Sequence, residues 1–264
     1  MRKQVKQLAL IIATAMCVGT ACTEKIDLDL KSAIPQLVIE GNISDQPGPY
    51  YVILSMSKIY SDSNQFEGVP GALVIVSDDA GNTDTLSELL PGLYSTSTLQ
   101  GVVGRTYHLQ VNTSGKTYDS YCPMHAPVPI DTILITEQTD FQGKTKLVGD
   151  IQVHDPPGLG NAYRVVSQLE GYNSSGFTIY HDRLWDGKLR EFNVPHSDFA
   201  HGDTLSVQLW SIDEKLYSYF REFNQNQNNF GAPAAPANPV SVFTPAALGY
   251  FSAHSITTRT QIVP

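Results

Sequence analysis

Near the start of the chain, Cys22 has the most specific chemistry. It follows Gly19-Thr20-Ala21, which come after an apolar run from Leu8 to Val18 and a basic start at Arg2, Lys3 and Lys6. A basic start, a short apolar core and a small-residue cleavage site make a secretory signal. A cysteine at the cut is where a bacterial lipoprotein carries its acyl chains, although Gly19 stands where such signals usually have a larger apolar residue. The apolar run is shorter than the ~20 residues a permanent membrane helix needs. Residues 1–21 are therefore expected to leave as a signal peptide, with Cys22 as the lipidated first residue. Two or more acyl chains hold a protein on a membrane where one binds only marginally.

Other groups that could do chemistry are dispersed. Histidines stand at 108, 125, 154, 181, 196, 201 and 254, and two of them precede aspartates, as His154-Asp155 and His181-Asp182. Such pairs ligate a metal when they converge, but no spacing puts two ligands on one element, so no metal or cofactor is expected. Asp155 and Asp182 are the carboxylates a hydrolase would use, in chemistry that depends on their separation. The zinc-protease helix, the P-loop and the dinucleotide glycine fingerprint are absent, and Gly171 to Gly176 lacks the spacing of a nucleophile elbow. With no candidate nucleophile, the chain is read as a non-enzyme. Tyr180 and Trp185, close to a turn, are candidates for stacking against a ligand, a use that competes with core packing. Once the signal is lost Cys122 is the one cysteine besides Cys22, so no disulfide framework forms.

Charge narrows the partners. The chain has 26 acidic against 17 basic residues, a formal net charge of −9, and loses three basic residues with the signal. A surface this acidic, without a Lys/Arg cluster, repels nucleic-acid phosphates and anionic headgroups alike.

The elements that must position these residues are mostly strands. A polar leader over residues 22–36 reads as a tether ending near Pro35. From Leu37 onward, short runs rich in β-branched and aromatic residues alternate with Gly, Asn and Asp turns, as at Asp79 to Asn82 and Thr113 to Lys116. Seven such runs before Cys122 predict an immunoglobulin-like sandwich over residues 37–125. Three prolines between Pro123 and Pro129 cannot continue a central strand and mark a junction. A second β-rich domain is expected over residues 126–264, with strands such as Lys146–His154 and Thr204–Ser211. One amphipathic helix is predicted near residues 212–224, opened by a Ser211/Glu214 capping box and facing its core with Leu216, Tyr219, Phe220 and Phe223. A proline-rich connector follows, and the residues from Val240 are expected to return as one or two strands.

Several stretches occur in a familiar order: Cys22 to Leu28, Pro91-Gly92-Leu93-Tyr94, Gly104 to Leu109, Pro129-Ile130-Asp131, Asp155 to Gly158, Asn161 to Arg164, Asp182 to Gly187 and Asp213 to Tyr217. In these the chain resembles the Bacteroidetes lipoproteins grouped as domain of unknown function 4249. Thr244 to Phe251 stands where that family usually has Asn-Ile followed by Gly-Gly-Leu-Gly, so a different pairing of the last strand is expected, with Leu248 to Phe251 retained. The resemblance implies an outer-membrane lipoprotein, an accessory subunit of a TonB-dependent transporter in nutrient uptake, with no catalytic residues to carry over. Glu24 and Asp27 in the leader favour the cell surface over the periplasmic face. Asp84-Thr85-Leu86, Asp131-Thr132-Ile133 and Asp203-Thr204-Leu205 resemble the O-glycosylation signal of exported proteins in that phylum, which makes Thr85, Thr132 and Thr204 candidate acceptors. The alternative reading is an autonomous surface lipoprotein that binds a glycan or peptide.

Overall fold

A two-residue alternation of apolar and polar side chains builds this molecule. The structure, a computed structural model, describes residues 34–58, 67–139, 141–170, 176–195, 199–227 and 238–264. In β1 (Leu37–Ser44) Ile39, Gly41 and Ile43 are buried, and in β8 (Thr106–Thr113) Tyr107, Leu109 and Val111 are buried, while the residues that alternate with them face outward. That period places one set of side chains on one face of a sheet. Each fully buried Leu or Val contributes roughly 1.5–3 kcal/mol relative to exposure.

The first half of the chain adds β2 (Tyr51–Met56), β3 (Glu67–Gly68), β4 (Leu73–Asp78), β5 (Thr83–Thr85), β6 (Ser87–Leu90), β7 (Leu93–Ser95) and β9 (Lys116–Pro123). The second half has β10 (Thr132–Thr139), β11 (Thr145–His154), β12 (Ala162–Leu169), β13 (Phe177–His181), β14 (Leu189–Asn193), β15 (Thr204–Ile212), α1 (Glu214–Gln227) and β16 (Leu248–Ile262). A large sheet runs β13-β12-β15-β16-β1-β2-β7-β6, with β3 paired to β2. Smaller sheets, β5-β4-β8-β9 and β10-β11-β14, cover its two halves.

Two sandwiches result. In the first core Ile39, Leu54 and Tyr94 meet Val74, Tyr107 and Leu109 across the sheets. In the second, Ile133, Ile151 and Phe192 meet Val165, Leu205 and Val207. The chain is thus mainly β, as the alternation predicts. The proline-rich junction lies where the cores change hands, Met124 belonging to the first and Val128 to the second.

β16 ties the halves together. Its first part pairs in parallel with β1, from Val38 opposite Leu248 to Ser44 opposite His254. The rest pairs antiparallel with β15, from Ser211 opposite Ser255 to Thr204 opposite Ile262. Phe251 and Ala253 accordingly fill the first core, whereas Val263 fills the second. Entry into β16 depends on Gly249, at φ +92°, where a Cβ would stand 2.1 Å from the Ile39 carbonyl oxygen. Residues Pro35–Pro264 form one compact unit.

Helix α1 packs on the outer face of the large sheet, burying Leu216 and Phe220 against Ala162 and Ile212. Its start differs from the expected capping box. β15 runs on to Ile212, so Ser211 is still in the strand, 4% exposed and with its Oγ unpartnered. Asp213 caps instead, its Oδ1 accepting the Lys215 N–H at 2.8 Å. No helix among the described residues is long and apolar enough to cross a membrane.

Candidate functional site

Asp155 and Asp182, far apart in sequence, come together. Antiparallel pairing of β12 with β13 puts Ala162 opposite His181, which sets the loop before β12 beside the loop after β13. The first loop begins Asp155-Pro156-Pro157, which stops β11 because proline cannot donate to the ladder. The second opens as a single 3-10 turn over Asp182–Leu184 and continues through Trp185, Asp186 and Gly187.

Carboxylates lock the loops to each other. Asp182 accepts the N–H groups of Gly160 at 3.1 Å and Asn161 at 2.9 Å. Asp155 accepts the Tyr163 hydroxyl at 2.5 Å and the Gly187 N–H at 2.9 Å. Asp186 accepts the Gly158 N–H at 2.7 Å. The Asn161 side chain closes its own loop by donating to the carbonyls of Pro156 and Gly158. Burial, then the Asp155 carboxylate, push the Tyr163 hydroxyl well above the ordinary phenol range.

Ligand oxygens of Asp155, Asp182 and Asp186 lie within 4.8 Å of one another, the first two residues buried and the third exposed. Hard oxygen donors at that spacing are of the type calcium takes, so these are the residues that would hold a divalent cation. Among the described residues no lysine or arginine is seen paired with them, and the nearby base is His181, with Nδ1 3.2 Å from Asp182. Nδ1 of His181 accepts the Arg183 N–H at 3.1 Å and Nε2 lies 3.2 Å from Glu214, which favours the tautomer protonated on Nε2. The short contact to Asp182 is then no hydrogen bond. As a hydrolytic pair, Asp155 and Asp182 are both 0% exposed and already hold donors on both oxygens, so neither meets a substrate directly. Sequence reasoning paired these two but missed Asp186, whose Asp-Gly turn step was the available signal.

Tyr180 and Trp185 also converge, on Phe192. The Tyr180 ring stacks on it at 4.2 Å, Trp185 lies at 5.4 Å and Tyr163 at 5.5 Å, both tilted. The Tyr180 hydroxyl accepts the Asn193 N–H at 2.7 Å. Both rings thus pack against the second core, and each turns surface toward Phe192 that a stacked ligand would need.

Of the candidate acceptor threonines, Thr85 is exposed and Thr132 and Thr204 are half-buried. The aspartates before two of them act as loop braces. Asp84 accepts the N–H groups of Ser97, Thr98 and Leu99 at 2.7–2.9 Å, and Asp203 accepts that of Ala200 at 2.8 Å. Cys22 and His196 lie outside the described residues. Cys122 is buried, its thiol pushed up to about 12 by burial.

Among solved structures the chain is similar to a two-domain fibronectin type-III segment of chicken tenascin, at 10% identity and TM-score 0.24, over 87% of this chain and 100% of that one. It is also similar to the chicken interferon gamma receptor alpha chain, at 10% identity and TM-score 0.22, over 69% and 91%. No curated protein matches. One family model matches residues 23–260, almost all of the folded chain, and it takes in the locked loops, both sandwiches and most of the shared strand. The chain belongs to the family defined by the domain of unknown function DUF4249.

Proposed function

We propose that this chain is a non-enzymatic lipoprotein, anchored through Cys22 in the outer membrane of a Bacteroidetes cell with its folded part on the cell surface. There it serves as an accessory subunit of a TonB-dependent transporter in nutrient uptake. The observation that carries the docking role is the edge of the large sheet at β6, which among the described strands pairs with β7 alone. All four residues Ser87–Leu90 are exposed, including Leu89 at 54% and Leu90 at 64%. An exposed edge with unpaired backbone groups and two leucines is a surface another strand can extend. The buried carboxylates of Asp155 and Asp182, each oxygen of which already accepts a hydrogen bond from the protein, support a non-catalytic role.

Three observations test this reading. Radiolabelled palmitate should enter the wild type and not Cys22→Ser. Cross-linking in intact cells should join the lipoprotein to a transporter barrel, and Leu90→Lys should weaken that cross-link while leaving the fold intact. Recovery of the lipoprotein alone, from cells in which it is surface-exposed, would sink the transporter role. Thr85, exposed beside its aspartate, is the preferred O-glycan acceptor. An intact mass unchanged by Thr85→Ala would remove that assignment.

A further inference from the structure

A groove of about 310 Å³ opens on the outer face of the large sheet, where β2, β1 and β16 run side by side. β1 shows which side chains face it. A Cβ on Gly41 would meet Leu109 and Phe251 in the first core, so Gly41 points inward and its neighbours Glu40 and Asn42 point out. Register sets the walls. Ile53 and Tyr250 stand opposite Glu40 on the flanking strands and Tyr51 stands opposite Asn42, with Tyr51 44% and Ile53 43% exposed.

Two acceptors that face the groove lack donors among the described residues. No described residue donates to or pairs with the half-buried Glu40 carboxylate, and burial pushes its pKa up. Asn42 Nδ2 donates to the Tyr250 hydroxyl at 3.3 Å, while Asn42 Oδ1 is buried and has no partner. Among the described residues His254 is the one lining base, and burial followed by the Arg164 charge lowers it to about 3, so it supplies no cation; the Arg164 guanidinium beside it reaches the Tyr250 hydroxyl and lies over Phe177, Trp210 and Phe220.

Two kinds of ligand answer acceptors beside aromatic rings, a sugar ring or an ammonium group. Stacking a sugar needs a free indole or phenol face, which leaves the half-exposed Tyr51 for it. Trp210 offers none, because His254 stacks on it at 4.1 Å and the Arg164 guanidinium lies over it at 4.7 Å. Those residues come from the strands on either side of β15 and so cover opposite faces. An ammonium needs a counter-charge and further acceptors, and benefits from nearby aromatic rings.

We propose that the groove binds the ammonium group of a primary amine, with Glu40 as counter-charge, Asn42 Oδ1 as second acceptor and Tyr51 and Tyr250 as walls. The volume suits a small ligand or one lysine side chain. This site goes beyond the transporter role and does not require it. The test is an NMR titration of the full mature lipoprotein in detergent micelles, with n-pentylamine and N-acetyl-lysine N-methylamide as probes and n-pentanol and glucose as controls. At least one amine is expected to shift the amides of Glu40, Asn42 and Tyr51 while both controls leave them in place. Response to pentylamine alone identifies a free amine as the source, and response to the capped lysine alone identifies a peptide. Glu40→Gln, which keeps shape and loses charge, should weaken binding about tenfold or more. Silence toward both amines, equal affinity in Glu40→Gln, or an equal response to pentanol or glucose would overturn the assignment.

Discussion

Replacing His254 by glutamine is expected to flatten the pH dependence of stability between about pH 7.5 and 5. His254 is 2% exposed, its ring lies on Trp210, and its Nδ1 shares a 2.7 Å hydrogen bond with the Ser252 hydroxyl. Burial first, and the positive Arg164 second, lower its pKa from 6.5 to about 3. Unfolding restores the ordinary value, so below about pH 6.5 the unfolded chain takes up a proton that the folded chain refuses. Stability is therefore complete above the unfolded pKa and is lost as pH falls toward the folded one. With ~1.4 kcal/mol per pH unit, the loss by about pH 5 comes to roughly 2 kcal/mol.

Neighbouring groups must be separated from that signal. Glu40, whose pKa is raised by burial, runs the other way and regains stability as pH falls. Asp78 and Asp84 are held low because hydrogen bonds outweigh the effect of their burial, and they act below the window. The readout is accordingly the difference between wild type and His254→Gln in urea unfolding across the series. Glutamine keeps a polar partner for Ser252 and carries no titration. Its lost stacking should shift stability equally at every pH, whereas the slope should change. Parallel curves for the two proteins would refute the claim that His254 is buried neutral beside Arg164.

Other sites carry equally direct expectations. Asp84→Asn sets an amide against the N–H groups of Ser97, Thr98 and Leu99 and should lower unfolding free energy by about 2–3 kcal/mol, an outcome urea titration checks. Tyr163→Phe leaves buried Asp155 without its hydroxyl donor; a loss of about 1–3 kcal/mol is expected, and no change would mean the carboxylate is satisfied elsewhere. Gly249→Ala forces a Cβ onto the Ile39 carbonyl at positive φ. It should part β1 from β16 and cost about 3 kcal/mol or more, read as lost amide-exchange protection along Leu37–Ser44.

How much of this was legible depends on the range over which each feature is decided. Strands such as β8 and β15 announce themselves because consecutive residues alternate, and glycine and asparagine turns punctuate them. Ser87–Leu90 escaped because all four of its residues are exposed and an edge strand needs no apolar face. Ser211 imitated a helix cap because a strand and a helix follow each other without a loop, and the local pattern cannot say where the strand ladder stops. Pairing on both sides settles that, with Ser211 opposite Ser255 of β16 and Ile212 opposite Ala162 of β12. Pairing of β1 with β16 joins residues more than two hundred positions apart, and no local pattern encodes it. The same pairing makes the groove, since Glu40 and Asn42 read in sequence as ordinary outward residues of a half-buried strand. Tyr250 and His254, brought alongside by that register, leave two acceptors unpaired in a partly buried place, while the nearby Arg164 guanidinium is held over Phe177, Trp210 and Phe220. The proposed site thus lies where distant strands meet, and a substitution that parts β1 from β16, such as Gly249→Ala, should abolish amine binding while it also loosens the first core, which holds Phe251 and Ala253 of the same strand.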